Sequence, residues 1–139
     1  MPFKIILGDK GKSWKFETES DHLNGKSLGD KIQGQDLKPE LEGYELEISG
    51  GSDIAGFPLY KNLEGIGLKK FLFTKGWGMR DNRKGVRLKK TVRGRTISNK
   101  VVQINFRVLK HGKKHLNTIF PDQNAPKAKA EEKAVEVAA

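Results

Sequence analysis

Apolar and polar residues alternate in short runs along most of the chain, and glycines divide the runs. Phe3-Lys4-Ile5-Ile6-Leu7 leads into the turn signal Gly8-Asp9-Lys10-Gly11. Beyond it, in Ser13-Trp14-Lys15-Phe16-Glu17, Trp14 and Phe16 alternate with Lys15 and Glu17. This reads as a β-hairpin in which each strand can place one face on a core. Between Ser27 and Leu41, the residues Leu28, Ile32, Leu37 and Leu41 recur near helical spacing. Gly29, Gly34 and Pro39 interrupt them, so one or two short helical turns are expected. Tyr44, Leu46 and Ile48 alternate with Glu45 and Glu47, the mark of a strand with one buried face. That strand is expected to run into a long turn of fixed shape whose structural residues are Gly50, Gly51, Asp53, Gly56, Phe57 and Pro58. Asp53 reads as a turn residue accepting local N–H bonds rather than as a catalytic acid.

The second half repeats the pattern with basic residues in the polar positions. Leu68, Phe71, Leu72 and Phe73 surround Lys69 and Lys70, Val86-Arg87-Leu88-Lys89 alternates strictly, and Val102, Ile104, Phe106 and Val108 alternate with Gln103, Asn105 and Arg107. The expected architecture is mainly β: one small barrel-like domain over residues 1–120, with short helical turns and a long basic loop. Residues 121–139, mostly Ala, Lys, Glu and Pro, have almost nothing to bury and are expected to form a flexible or weakly helical tail.

At 139 residues there is room for one domain with one modest core. The chain contains no cysteine, which excludes disulfides and thiolate metal sites. No apolar run approaches the roughly 18 to 20 residues of a membrane span, and Met1 to Leu7 is too short and too quickly followed by charge for a signal peptide. A cytoplasmic protein is expected.

Charge changes the picture most. From Lys61 to His115 there are 17 Lys and Arg but only two acids, Glu64 and Asp81, while the remaining residues hold 10 basic against 15 acidic groups. So concentrated a block calls for a polyanion, and nucleic acid supplies one phosphate about every 1.7 Å of duplex axis. Lys75 to Gly85 is too poor in apolar residues for a strand and too rich in glycine for a helix, so it reads as an exposed basic loop that RNA phosphates would neutralise. Trp77, between Gly76 and Gly78, has two equal readings: a platform for a base or ribose, or a lid folded back on the domain. The candidate RNA-binding residues are Lys69, Lys70, Lys75, Trp77, Arg80, Arg83, Lys84, Arg87, Lys89, Lys90, Arg93, Arg95, Lys100, Arg107, Lys110, Lys113 and Lys114. Their Lys and Arg are expected to hold phosphate without reading base sequence.

Rival chemistries find little support. His111 and His115 have a four-residue spacing known from metal sites, but their neighbours are Lys110, Lys113 and Lys114 and no nearby acid completes a set, so no metal and no cofactor are expected. There is no phosphate-binding Gly-rich loop, and the acids lie mostly outside the basic block, where they cannot form a nuclease centre within it. A membrane-surface binder would need an apolar face beside the basic one, whereas the basic strands alternate with residues expected in the core. A free-standing RNA chaperone is one reading of so basic a chain.

The stretch Gly43-Tyr44-Glu45-Leu46-Glu47-Ile48-Ser49-Gly50-Gly51-Ser52-Asp53-Ile54-Ala55-Gly56-Phe57-Pro58, followed by Arg87-Leu88-Lys89-Lys90-Thr91-Val92-Arg93-Gly94, resembles ribosomal protein S six of the archaeal and eukaryotic type. The resemblance spans roughly Phe3 to His115. It implies a barrel-like domain without catalytic activity that binds small-subunit ribosomal RNA, sits beside other ribosomal proteins rather than forming an independent homo-oligomer, and supports subunit assembly and translation. Eukaryotic members carry a long basic C-terminal helix with a phosphorylated serine cluster. This chain has no serine beyond Ser98, so that regulation is not carried over and the short form looks archaeal.

Overall fold

The computed structural model describes residues 2–123. Among the described residues seven strands form: β1 (Phe3–Asp9), β2 (Lys12–Thr18), β3 (Lys31–Gln33), β4 (Glu45–Asp53), β5 (Leu68–Phe73), β6 (Leu88–Arg93) and β7 (Val101–Lys110). The expected first hairpin is present, with register from Phe3 opposite Thr18 to Asp9 opposite Lys12. Its turn is Lys10-Gly11, both at positive φ (47° and 79°), the primed geometry whose twist matches a two-residue hairpin. Where one or two helical turns were expected between Ser27 and Leu41, there are 3₁₀ turns at Gly34–Asp36 and Pro39–Leu41, with another at Asp21–Leu23.

Five strands make one sheet in the order β2-β1-β7-β4-β3, and β5 pairs with β6 alone. Within the large sheet β1 and β7 run parallel, Lys4 opposite Gln103 and Leu7 opposite Phe106, and the other neighbours are antiparallel. The fold is therefore mainly β, but the sheet is open and the barrel is not closed. The last strand, β3, has three residues and pairs only with β4, too short an edge to complete a circuit back to β2.

The pattern of alternation explains which face is buried. Ile5 and Leu7 of β1, Tyr44, Leu46 and Ile48 around β4, and Ile104 and Phe106 of β7 all lie in one core, joined by Leu23, Leu41 and Ile97. Full burial of side chains of this size contributes about 1.5–3 kcal/mol each relative to exposure. A four-residue helix, α1 (Leu116–Ile119), adds Leu116 to the same core, and Phe120 after it stacks on Phe16 with centroids 5.6 Å apart. Gln123 then accepts the Lys15 N–H and donates to the Lys15 carbonyl, each at 2.6 Å, along β2. The rest of the expected tail, 124–139, lies outside the described residues.

Two expectations need correction. Gly50 and Gly51 are not in a turn: β4 continues through them to Asp53, with register irregularities against β7, and the turn is confined to residues 54–57. The strand expected at Val86–Lys89 begins at Leu88 and runs to Arg93. Val86 instead packs against a second, smaller core of Phe73, Met79 and Val92, together with Tyr60, Leu63 and Phe71.

Candidate nucleic-acid interface

The second core carries the basic hairpin. Residues directly opposite share a face of a sheet, and here Phe71 lies opposite Lys90, Leu72 opposite Lys89 and Lys70 opposite Thr91. The face holding Phe71, Phe73 and Val92 turns inward on the second core. The other presents Leu68, Lys70, Leu72, Lys89 and Thr91. The sequence pattern placed the apolar residues of this hairpin in the core, yet Leu68 and Leu72 are 49% and 51% exposed, because Phe71 and Phe73 alone face the packing partner.

The loop of residues 74–87 joins β5 to β6 and is held at several points, Val86 on the second core among them. Met79 is buried in the second core, and the Lys90 ammonium donates to the Gly78 carbonyl at 2.8 Å. Trp77 stacks on Tyr60, centroids 4.8 Å apart and planes 27° from parallel, while 53% of its surface stays exposed. Arg83 grips the Asp81 carboxylate through both Nε and Nη2, and that guanidinium holds the Asp81 carboxyl below the usual carboxylate range. Lys69, Lys70, Lys75, Arg80, Lys84, Arg87 and Lys89 are exposed and make no ion pair among the described residues. Lys69 lies over the Phe71 ring at 5.3 Å.

Elsewhere acids of the first half meet basic residues of the second. On β4 and β7, Glu47 binds Arg107 at 2.6 Å and Glu45 binds Lys110 at 3.3 Å. Lys113 reaches Glu42 at 3.6 Å, and Arg95 reaches Glu64 at 3.6 Å. Of the basic block's charge, most of what is left unpaired among the described residues lies on the hairpin and its loop, with Lys61, Lys100 and Lys114 exposed elsewhere. The Tyr44 phenol donates to the Lys114 carbonyl and ties that segment to the main core. His111 lies 3.4 Å from Asp9, an acid distant in sequence, and no three His, Cys, Asp or Glu side chains converge as a metal set among the described residues.

Arg93 departs from the other candidates. Only 8% of it is exposed; its Nε donates to Asp53 at 2.8 Å and its Nη1 to the Ile66 carbonyl at 2.9 Å. The guanidinium is spent inside the protein, so Arg93 is corrected from phosphate contact to structural tie. Its partner behaves as expected of a turn residue: Asp53 Oδ1 accepts the Phe57 N–H at 2.8 Å, and Gly56 sits at φ 91° within the turn, preceding Pro58. Burial pushes the Asp53 carboxyl up, but the Arg93 hydrogen bond and charge and the Phe57 and Gly56 N–H groups outweigh it and hold the carboxyl below its ordinary value.

Sequence reasoning missed Tyr60, which supports Trp77, and the juxtaposition of Asn62 and Lys61 with Asn105 of β7. A lone Tyr at the edge of the basic block was the only local signal; the rest depends on which strands meet.

Comparison with known proteins gives one consistent result. The family described as Ribosomal protein S6e matches residues 1–121. The chain is 46% identical over 120 residues to a "Small ribosomal subunit protein eS6" of Nanoarchaeum equitans, covering 84% of this chain and 88% of that one. It is 43% identical over 114 residues to the protein of that name in Methanococcus maripaludis (81% and 90% covered) and 41% identical over 127 residues to that of Archaeoglobus fulgidus (86% and 96% covered).

Proposed function

The chain belongs to the ribosomal protein S6e family, and from there we propose that this structural, non-enzymatic constituent of the small ribosomal subunit holds ribosomal RNA against the β5–β6 hairpin and the 74–87 loop. The observation that carries this reading is the uncompensated charge of that element. Seven exposed Lys and Arg lie there without an ion pair among the described residues, whereas Arg107 and Lys110 on β7 are neutralised by Glu47 and Glu45. An RNA backbone threaded along the hairpin would replace mutual repulsion with phosphate contacts, and the guanidinium groups of Arg80 and Arg87 suit bidentate contact. Lys75, Lys84 and Lys89 extend the same track, Lys90, Arg83 and Arg95 lie beside it, and Lys100, Lys113 and Lys114 stand apart from it. Leu68 and Leu72, exposed between Lys70 and Lys89, suit a neighbouring ribosomal protein beside the RNA.

The test is the salt dependence of binding to small-subunit ribosomal RNA. With six or more phosphate contacts, affinity should fall by about 10³ or more between 50 and 200 mM salt. Arg87→Ala should reduce the slope of log affinity against log salt by about one, while Lys110→Ala, already paired with Glu45, should change it by clearly less. Equal effects of the two substitutions would contradict the hairpin as the contact element.

A further inference from the structure

Beside the hairpin lies a groove of about 720 Å³, lined by β4 around Gly50, by residues 58–62, by Trp77 and by Asn105 and Arg107 of β7. Its size is within the roughly 300–1,000 Å³ of small-ligand sites. The two adjacent glycines in its lining differ in kind. A Cβ on Gly51 would meet the Gln103 carbonyl oxygen at 2.5 Å and Leu59 at 3.0 Å, so packing alone demands glycine there. A Cβ on Gly50 would meet only the Asn105 amide nitrogen, at 3.9 Å, an ordinary contact, and Gly50 is not at positive φ. Nothing in the fold requires position 50 to lack a side chain; what its absence leaves is open groove.

The groove also gathers the groups a nucleotide needs. Tyr60 and Trp77 are stacked in its lining, with more than half of Trp77 exposed. Asn105 spends its Oδ1 on Gln103 at 2.9 Å and keeps its Nδ2 as a donor. Asn62 spends its Nδ2 on the Tyr60 hydroxyl at 3.1 Å and keeps its Oδ1 as an acceptor. Lys61 is exposed and makes no ion pair among the described residues, while the neighbouring Arg107 is held by Glu47.

We propose that this groove takes one unpaired nucleotide of the bound RNA, its base laid on the Trp77–Tyr60 stack over Gly50, its edge meeting Asn105 Nδ2 and Asn62 Oδ1, and its phosphate at Lys61. The inference rests on the RNA-binding reading and adds to it a site for a base turned out of its helix. Unpaired bases stacked on aromatic side chains are the usual way proteins engage folded RNA beyond its backbone.

The experiment uses the full 139-residue chain, a fully paired RNA duplex and the same duplex with one bulged nucleotide, followed by tryptophan fluorescence. Trp14 is buried and supplies a constant background. The bulged duplex should quench Trp77 and bind about tenfold more tightly than the paired one. Gly50→Val should fill the groove and remove that preference while leaving affinity for the paired duplex and its salt slope unchanged; Trp77→Ala, in an exposed loop, should also remove the preference. Retention of the full preference by both variants would overturn the proposal. So would quenching by adenosine monophosphate as tight as by the bulged duplex, which would make this a free-nucleotide site. Binding of neither duplex by the unaltered chain would instead sink the RNA-binding reading itself.

Discussion

Arg93 and Asp53 show what a residue's number in the sequence conceals. Arg93 follows Lys89 and Lys90 in a run of positive charge, and nothing local separates it from them. What does is Asp53, forty residues earlier, which meets it at 2.8 Å with both side chains nearly out of water. Removing one partner of such a pair strands the other, so Arg93→Ala should cost about 3 kcal/mol in chemical denaturation. The same substitution should leave the salt slope of RNA binding almost unmoved. Its pH dependence has a definite sign. The Asp53 carboxyl is held below its ordinary value in the folded chain, so its contribution is fully present above the unfolded value near pH 3.8 and is lost as pH falls through the folded one. The stability gap between the unaltered protein and Asp53→Asn should therefore be constant from pH 7 to about pH 5 and shrink below pH 4. A gap that widened on acidification would refute the pairing.

At the scale of elements, period-two alternation was sufficient for the longer strands that face the main core, though not for the three-residue β3, whose Ile32 sits in a near-helical spacing. The first hairpin and the Tyr44-Leu46-Ile48 and Ile104-Phe106 patterns stand in the structure as read. It failed where a glycine pair sat inside a strand, since Gly50-Gly51 carries the same signal in a bulged strand as in a turn. It failed again on β5, where Leu68 and Leu72 alternate as regularly as Phe71 and Phe73, and only the position of the second core decides which pair is buried. The loop of residues 74–87 looked structureless because its apolar anchors, Trp77, Met79 and Val86, are scattered among charges and glycines. Met79→Ala should cost about 2 kcal/mol and act locally. Hydrogen exchange should quicken at Val92 on β6 while Ile104 on β7 keeps its protection; uniform loss at both would show that the two cores unfold as one.

On the scale of the molecule, a formal charge of +10 understates an uneven distribution. The acids of the first half pair with β7 through Glu45 and Glu47, a meeting of strands that no local pattern announces, and so the positive charge is left mainly on one hairpin. The basic block was legible in the chain, and its extent was overread, because sequence counts charges and only the fold pairs them. The most direct test of the hairpin as the RNA-bearing element is ultraviolet crosslinking within salt-washed small subunits separated on a sucrose gradient. Crosslinks to small-subunit ribosomal RNA should fall mainly within residues 74–100, with Trp77 and Arg87 among them. Crosslinks concentrated on β7 and β4, or a protein found chiefly in the soluble fractions, would contradict it.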